Sequence, residues 1–394
     1  MSAADAGAAR DGAAGLEAPS TLVRAGRLVD AAGSTADGWV LVVGDTIRAV
    51  GSGPDAPAAD AVVGLGDAVL TPGSVDLHGH GGATRAYEDD DSTAALAAHR
   101  SHGTTRSVLS LVANPLPELA ASMAHVRAVM ADDPLVLGVH LEGPFLSPHN
   151  KGAHNASFLV DPTPSAVDAL LEAGEGVLRQ ITIAPELPGA LDAVARFVDA
   201  GVVVAVGHTV ATHDQARAAF DAGATLLTHA FNAMPGLHHR APGPIGAAVA
   251  DDRVTLELIL DGVHVHPVVA TTLFRAAPGR VALITDAMGA AGAADGEYRL
   301  GSLEVTVTDG IAHVAGTDTI AGSTLTQDQA LRNAVSLAGR TLPEAVAALT
   351  SVPARALGLG DRFGRLAPGY AADLVALSPD LEVRRVWGGG RALR

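Results

Sequence analysis

Two histidines two residues apart, His78 and His80 in the stretch TPGSVDLHGHGG, are the first groups whose spacing can do chemistry. Side chains in a strand alternate faces, so both imidazoles, with Asp76, are expected to face one target. Further along, apolar runs repeatedly end on groups that bind metal or move protons. These are Glu142 in VHLEGPF, Glu186 in IAPE, His208 in VGHT, His229 in LLTH and Asp286 in LITDAMG, with His264 following in DGVHVHP. A lone histidine at a strand end is ordinarily a hydrogen-bonded structural residue. Five imidazoles with their accompanying carboxylates require a common cause, because Glu142 and Asp286 close apolar runs where an unpaired charge is costly. A divalent cation is the natural partner. The chain contains no cysteine, so its ligands must be imidazole and carboxylate, a set that suits zinc or a similar divalent metal with an open position. Such an ion lowers the pKa of bound water from about 15.7 to about 7 and polarises a carbonyl oxygen. Hydrolysis of an amide or a related bond is the expected reaction class.

Eight strand-like runs must position these groups: residues 74–78, 105–112, 135–142, 179–186, 202–208, 225–229, 254–260 and 281–286. Ala-rich helical patterns such as STAALAAHRS and PSAVDALLEAG alternate with them, which implies a parallel sheet with helical crossovers. Eight such units between residues 69 and 351 fit an α/β fold, a (β/α)8 TIM-like barrel, whose active site lies where the strands end. A doubly wound open sheet is the competing architecture. Against it, HGHGG lacks the G-x-G-x-x-G spacing of a phosphate-binding turn. Residues 21–68 and the segment from 352 to 394 carry short alternating runs, the mark of hairpins in a small sheet. LEVTVTDGIAHVAG reads as a hairpin turning at Asp309 and Gly310, inserted beside the site. STLTQDQALRNAVSLAG and LPEAVAALTSVPARALG read as helices closing the barrel.

Composition narrows the field. With 394 residues, 48% of them hydrophobic, the chain can build one large domain and a smaller one. A formal charge of −17 argues against a nucleic-acid or anionic-membrane surface. Residues 1–20 are small and polar, with Asp5, Arg10, Asp11 and Glu17 interrupting any signal-like core, so they are expected to form a disordered tail. No apolar run approaches the roughly 18–20 residues needed to span a bilayer. A cytoplasmic location is the default expectation.

The motifs PGSVDLHGHGG, HLEGPFLSPHNKGAHN, APE, VGHT, THAFNAMPGLHHRAPG, DGVHVHP, LITDAMGAAG, IAGSTLT and GRLAPGYAADLVAL together resemble the N-acetylglucosamine-6-phosphate deacetylases, a family within the amidohydrolase superfamily. The resemblance runs from about residue 21 to the C-terminus. HLEGPF and THAFNAMP are its specific parts, whereas the first and last motifs fit many amidohydrolases.

The resemblance implies a barrel carrying a small β-sandwich made from both chain ends. It implies that Glu142, His208 and His229 hold the metal retained throughout the family. His78 and His80 match a second metal position that only some members occupy, so one or two ions (Zn2+, with Fe2+, Co2+ or Mn2+ as alternatives) are expected, with Glu142 as a bridge. Asp286 matches the catalytic aspartate.

Arg240 and His264 match the groups that hold a sugar phosphate, the former reaching in from a second subunit of a homodimer. Gly143, Asn232 and Ala233, with Ile320, Ala321 and Gly322, match substrate-binding positions, and His154, in a segment that varies among relatives, is a candidate for a substrate contact. For the glycine and alanine positions, close packing is an equal alternative. Lys151 and Glu186 have no assigned role; a solvated Lys151 is the simpler reading. The implied activity is hydrolysis of N-acetyl-D-glucosamine 6-phosphate to D-glucosamine 6-phosphate and acetate. A deacetylase of the galactosamine epimer remains open, since one inverted hydroxyl leaves no readable trace. An amidohydrolase acting on a cyclic amide would usually bridge its metals with a lysine on the fourth strand, which here ends IAPE.

Overall fold

The computed structural model describes residues 18–89 and 91–394. Within them, all eight expected strands form one parallel sheet, in chain order: Ser74–Asp76, Thr104–Val112, Val136–Glu142, Leu178–Ile183, Val203–Val206, Leu226–Leu227, Thr255–Ile259 and Val281–Ile284. Every residue of Thr104–Val112 and Val136–Glu142 is buried, as expected for parallel strands covered on both faces. The barrel expectation holds, with one seam between the first and eighth strands. That seam is closed by Asp286 N donating to His78 O at 2.8 Å and Thr285 Oγ1 donating to Asp76 Oδ2 at 2.6 Å.

The crossover helices bury one stripe each. Ala190, Ala193, Val194 and Phe197 of the helix Ala190–Asp199 are buried, spaced as one face of a 3.6-residue period. Thr212 with Gln215, and Thr341 with Glu344, form reciprocal capping boxes that satisfy the first backbone N–H groups of their helices. The final helical stretch is broken at Thr350, giving Leu342–Leu349 and Ser351–Ala356 rather than one helix.

Both chain ends build a second, mixed sheet of eight strands. Ser20–Asp30 pairs antiparallel with Gly33–Val43 and parallel with Val69–Pro72, which in turn pairs with Leu374–Leu377. Ser20 therefore already belongs to a strand, while the rest of the expected tail, residues 1–17, lies outside the described residues. A buried ion pair ties this sheet to the barrel: Arg106 Nε donates to Asp373 Oδ2 at 2.7 Å and Arg106 Nη2 to Oδ1 at 3.0 Å. The inserted hairpin turns at Asp309 and Gly310, both with positive φ, and gains a third strand, Gly296–Leu300, that the sequence reading missed.

Candidate metal centre and active site

Glu142, the last residue of the third strand, is buried at the middle of the barrel mouth and meets five imidazoles. Its Oε1 lies 3.1 Å from His208 Nε2, 3.0 Å from His229 Nε2 and 3.3 Å from His78 Nε2. Its Oε2 lies 3.2 Å from His80 Nε2 and 3.4 Å from His154 Nε2. Asp286 Oδ1 stands 3.2 Å from His80 Nε2 and 3.5 Å from His78 Nε2. Two ligand sets result, His78–His80–Glu142 and Glu142–His208–His229, sharing the carboxylate.

The side chains of His78 and His80 converge, but not by alternation along a strand. The strand stops at Asp76, and the two histidines lie on the irregular segment after it. Their positions are set by the intervening peptide, since Gly79 N donates to Ser110 Oγ at 3.2 Å and Ser110 N to Gly79 O at 2.9 Å. His208, His229 and Asp286 sit just past their strands with φ of 44°, 25° and 47°. Such backbone is uncommon for non-glycine residues and clusters where a side chain must be aimed against local preference. Gly152 adopts φ +53° beside this centre, where an added Cβ would lie 3.0 Å from His208 Cε1.

The donor arrangement fits a cation. His208 Nδ1 donates to Asn150 O at 3.0 Å, which leaves the Nε2 lone pair aimed at Glu142 and at His229 Nε2, 3.0 Å away. His78 Nδ1 faces Glu257 Oε2 at 3.3 Å, so its Nε2 lone pair meets His80 Nε2 at 3.2 Å and the same carboxylate. With these rings neutral, the His208 and His78 lone pairs each face a carboxylate oxygen and a second imidazole nitrogen, contacts that a shared positive ion relieves. At His208 and His78, partners on the outer ring nitrogens orient the rings in the manner of metal-bound histidines.

Burial depresses imidazole pKa values, and the facing carboxylates decide the outcome. At His78 and His80, Glu142 and Asp286 outweigh burial, lifting His78 well above its ordinary value and His80 to about 9. At His208 burial wins, and the ring falls to about 4. Burial pushes the Asp286 carboxyl up, but His78 and His80 outweigh it and hold it down at about 2. Glu142 is likewise held well below the usual carboxylate range, its burial outweighed by His78, His154, His208 and His229.

His80, Glu142, His208, His229 and Asp286 open onto a cavity of about 540 Å³, also lined by His154, Asn232, Ala233, His264, Ile320 and Gly322. A space of that size suits a small organic ligand. Ala113 N donates to His154 Nδ1 at 3.2 Å, so the ring proton sits on Nε2 and faces Glu142. His264 Nδ1 pairs with Asp261 Oδ2 at 2.6 Å; burial lowers its pKa, but the carboxylate outweighs this and raises it.

His78 lies beneath the cavity wall, and three expected substrate-binding residues also lie off it. Gly143 packs behind Glu142 against Ala113 and Leu146, Ala321 is buried with its N–H given to Ala312 O, and Arg240 is exposed on its loop. Lys151 reaches the wall with its Nζ bound to backbone carbonyls of Gly152 and His154, rather than free in solvent. Glu186 accepts from Val210 N at 2.7 Å and from the Thr209 hydroxyl, so it braces the loop after His208 instead of entering the centre. Sequence reading missed His140, Gln180 and Glu257, which lie beneath the centre inside the barrel.

Residues 69–393 match the model of the amidohydrolase family. The chain belongs to this family. Among similar proteins, the amidohydrolase is 41% identical over 329 residues to an N-acetylgalactosamine-6-phosphate deacetylase of Escherichia coli, covering 82% of this chain and 87% of that one. It is 35% identical over 353 residues to an N-acetylglucosamine-6-phosphate deacetylase of Vibrio furnissii, covering 88% of each. A mutant N-acetyl-D-glucosamine-6-phosphate deacetylase of Mycobacterium smegmatis, solved in complex with N-acetyl-D-glucosamine-6-phosphate, superposes with a TM-score of 0.91 at 45% identity, covering 95% of this chain and 99% of that one. The Thermotoga maritima N-acetylglucosamine-6-phosphate deacetylase gives 0.86 at 30%, with the same coverage. The family resemblance expected from the motifs is therefore borne out.

Proposed function

We propose that this amidohydrolase removes the acetyl group of N-acetyl-D-glucosamine 6-phosphate by hydrolysis, releasing D-glucosamine 6-phosphate and acetate. One observation carries the reading: a buried glutamate shared by two imidazole pairs, with a second ionised carboxylate on the wall of the same cavity. Similar structures at 45% and 30% identity, both N-acetylglucosamine-6-phosphate deacetylases, support the substrate.

Nitrogen and oxygen donors without thiolate suit Zn2+, with Fe2+, Co2+ or Mn2+ as alternatives. When bound, a divalent ion here supplies a Lewis acid for the amide carbonyl and lowers the pKa of water toward about 7. Glu142, His208 and His229 would hold one ion, and His78, His80 and Glu142 a second. Asp286, ionised in its imidazole surroundings, takes a proton from the attacking water and gives it to the nitrogen as the C–N bond breaks. His154 offers its Nε2–H to the acetamide oxygen.

Asn232 and Ala233, with Ile320 and Gly322, border the sugar, while Gly143 and Ala321 act by close packing behind it. His264, its Nδ1 held by Asp261, turns a donor toward the phosphate. Arg240 completes that subsite from the second copy in a homodimer, where a guanidinium binds phosphate oxygens bidentately. Its exposure on the single chain supports this placement.

A second reading, the galactosamine epimer, is favoured by the 41% identity to the Escherichia coli protein. Acetate release from both epimeric 6-phosphates, before and after chelation, separates the two. The expected result is at least tenfold higher kcat/KM for the gluco epimer, abolished by chelation and restored by zinc, iron or cobalt. Preference for the galacto epimer selects the second reading. Full activity in chelated protein refutes both.

A further inference from the structure

Beneath the mouth of the barrel, Glu257 occupies the middle of the seventh strand, Thr255–Ile259, between Leu256 and Leu258. It is fully buried, as are its two partners. Its Oε2 lies 3.3 Å from His78 Nδ1, and its Oε1 accepts from Gln180 Nε2 at 2.9 Å. No lysine or arginine among the described residues pairs with it, nor with Glu142 or Asp286. A carboxylate placed this deep, with only an amide and an imidazole for company, is costly to bury. The cost is offset where the imidazole carries positive charge from a cation on its other nitrogen.

Among the four histidines of the two ligand sets, His78 is the one whose outer nitrogen faces a carboxylate. His208 uses a backbone carbonyl, and the outer nitrogens of His80 and His229 have no partner among the described residues. We infer that Glu257 is a positioning residue for the His78–His80–Glu142 set, orienting His78 through its Nδ1 so that this chain retains a second divalent ion. The inference rests on the metal-centre reading above and concerns the second ion alone. A carboxylate behind a ligating histidine fixes ring orientation, raises ligand basicity, and on removal costs roughly 10–100-fold in metal affinity. The neighbouring ring supports the same orientation: His140, held by Ser110 Oγ at 2.9 Å and Thr182 Oγ1 at 2.8 Å, packs edge-on to His78 at 4.6 Å. His78 therefore has a packed side and a hydrogen-bonded end before any ion arrives.

The test is metal stoichiometry in the full chain. Manganese or zinc is titrated into wild type and Glu257→Gln, with bound metal counted by mass spectrometry and Mn2+–Mn2+ coupling read by electron paramagnetic resonance. Glutamine keeps the volume, and Gln180 Oε1, which has no partner, can receive its amide after a flip. The expected result is two ions in wild type, with the second ion's Kd raised about 10–100-fold in the variant. The coupled signal should give way to that of isolated ions, while the first ion's Kd stays within threefold. Unchanged second-ion affinity in the variant, or one ion in wild type, overturns the inference and leaves the first site standing. A wild type that binds none overturns the metal reading itself. Should Glu257→Gln not fold, Glu257→Asp, which keeps the charge but withdraws it by one methylene, is expected to weaken the second ion severalfold, and unchanged binding there overturns the inference equally.

Discussion

Replacing Asp286 with asparagine keeps the side chain's volume while removing its charge and its ability to take a proton from water. The backbone gives little reason for the fold to move. Asp286 N donates to His78 O at 2.8 Å, Ser323 N donates to Asp286 O at 2.7 Å, and the φ of 47° is one that asparagine tolerates well. The Glu142–His208–His229 set is untouched. What disappears is the cavity-wall carboxylate that faces His78 and His80 and belongs to neither ligand set.

General acid–base catalysis by a positioned group contributes about 10²–10⁴ in rate, or roughly 2.7–5.4 kcal/mol of barrier at about 1.36 kcal/mol per decade. The expected outcome is a kcat lower by that factor, with KM changed less than about threefold. Acetate release measured by a coupled assay gives the rate, and metal analysis of the same sample gives the occupancy. A variant keeping more than about a tenth of the wild-type rate at normal occupancy refutes the proton-transfer role. Loss of metal in proportion to loss of rate would instead make Asp286 a ligand.

Two further predictions concern the frame around the centre. Arg106→Met leaves Asp373 buried without its bidentate partner and is expected to lower unfolding free energy by about 3–5 kcal/mol in urea titrations. A change under about 1 kcal/mol would mean that the barrel and mixed sheet do not depend on this pair. Burial pushes the Asp328 carboxyl up, but His102, Thr326 and Arg332 outweigh it and hold it at about 2. Its folded pKa lies below the unfolded one, so its stabilisation is present above the ordinary aspartate value and is lost as pH falls toward about 2. Asp328→Asn should therefore be less stable than wild type by about 1–2 kcal/mol at pH 7, after discounting for partial solvent screening. The two thermal transitions should converge below about pH 3, and a constant gap across the acid range would refute the assignment.

Much of this architecture is legible because local pattern and tertiary demand agree. The helix Ser92–Ser101 matches its apolar period to the residue, and runs such as residues 281–284 are apolar enough that burial on both faces is their only stable fate. The strand ends bearing Glu142, His208, His229 and Asp286 are legible for the same reason, since a polar group closing an apolar run must find a partner. Less legible is whatever depends on a peptide held from outside its own segment. His78 and His80 look like strand residues, but their convergence comes from Ser110, thirty-odd positions away, gripping Gly79.

The break at Thr350 is hidden by an uninterrupted Ala-rich period, although Pro353 shortly after it was the available sign. Glu257 also left a sign, an acid flanked by leucines inside a short apolar strand. Attention to strand ends alone passes over it, because an interior position of a barrel is ordinarily filled by packing rather than chemistry.

The seam between the first and eighth strands explains why closure and chemistry share the same residues. Elsewhere around the barrel, neighbouring strands are joined by backbone ladders whose register is set by apolar side chains. At the seam the join is made by side chains and two amides: Asp76 takes Thr285 N at 3.2 Å and Thr285 Oγ1 at 2.6 Å, and His78 O takes Asp286 N. These bonds fix the end of the eighth strand against the segment that carries both histidines of the second ligand set. The 3.2 Å between Asp286 Oδ1 and His80 Nε2 is then a consequence of barrel closure rather than of any contact the two side chains must find for themselves. A looser seam would cost Asp286 its alignment before it cost the barrel its core, because Leu77 and Ile284, the apolar neighbours on either side, stay buried in a cluster that spans the whole sheet.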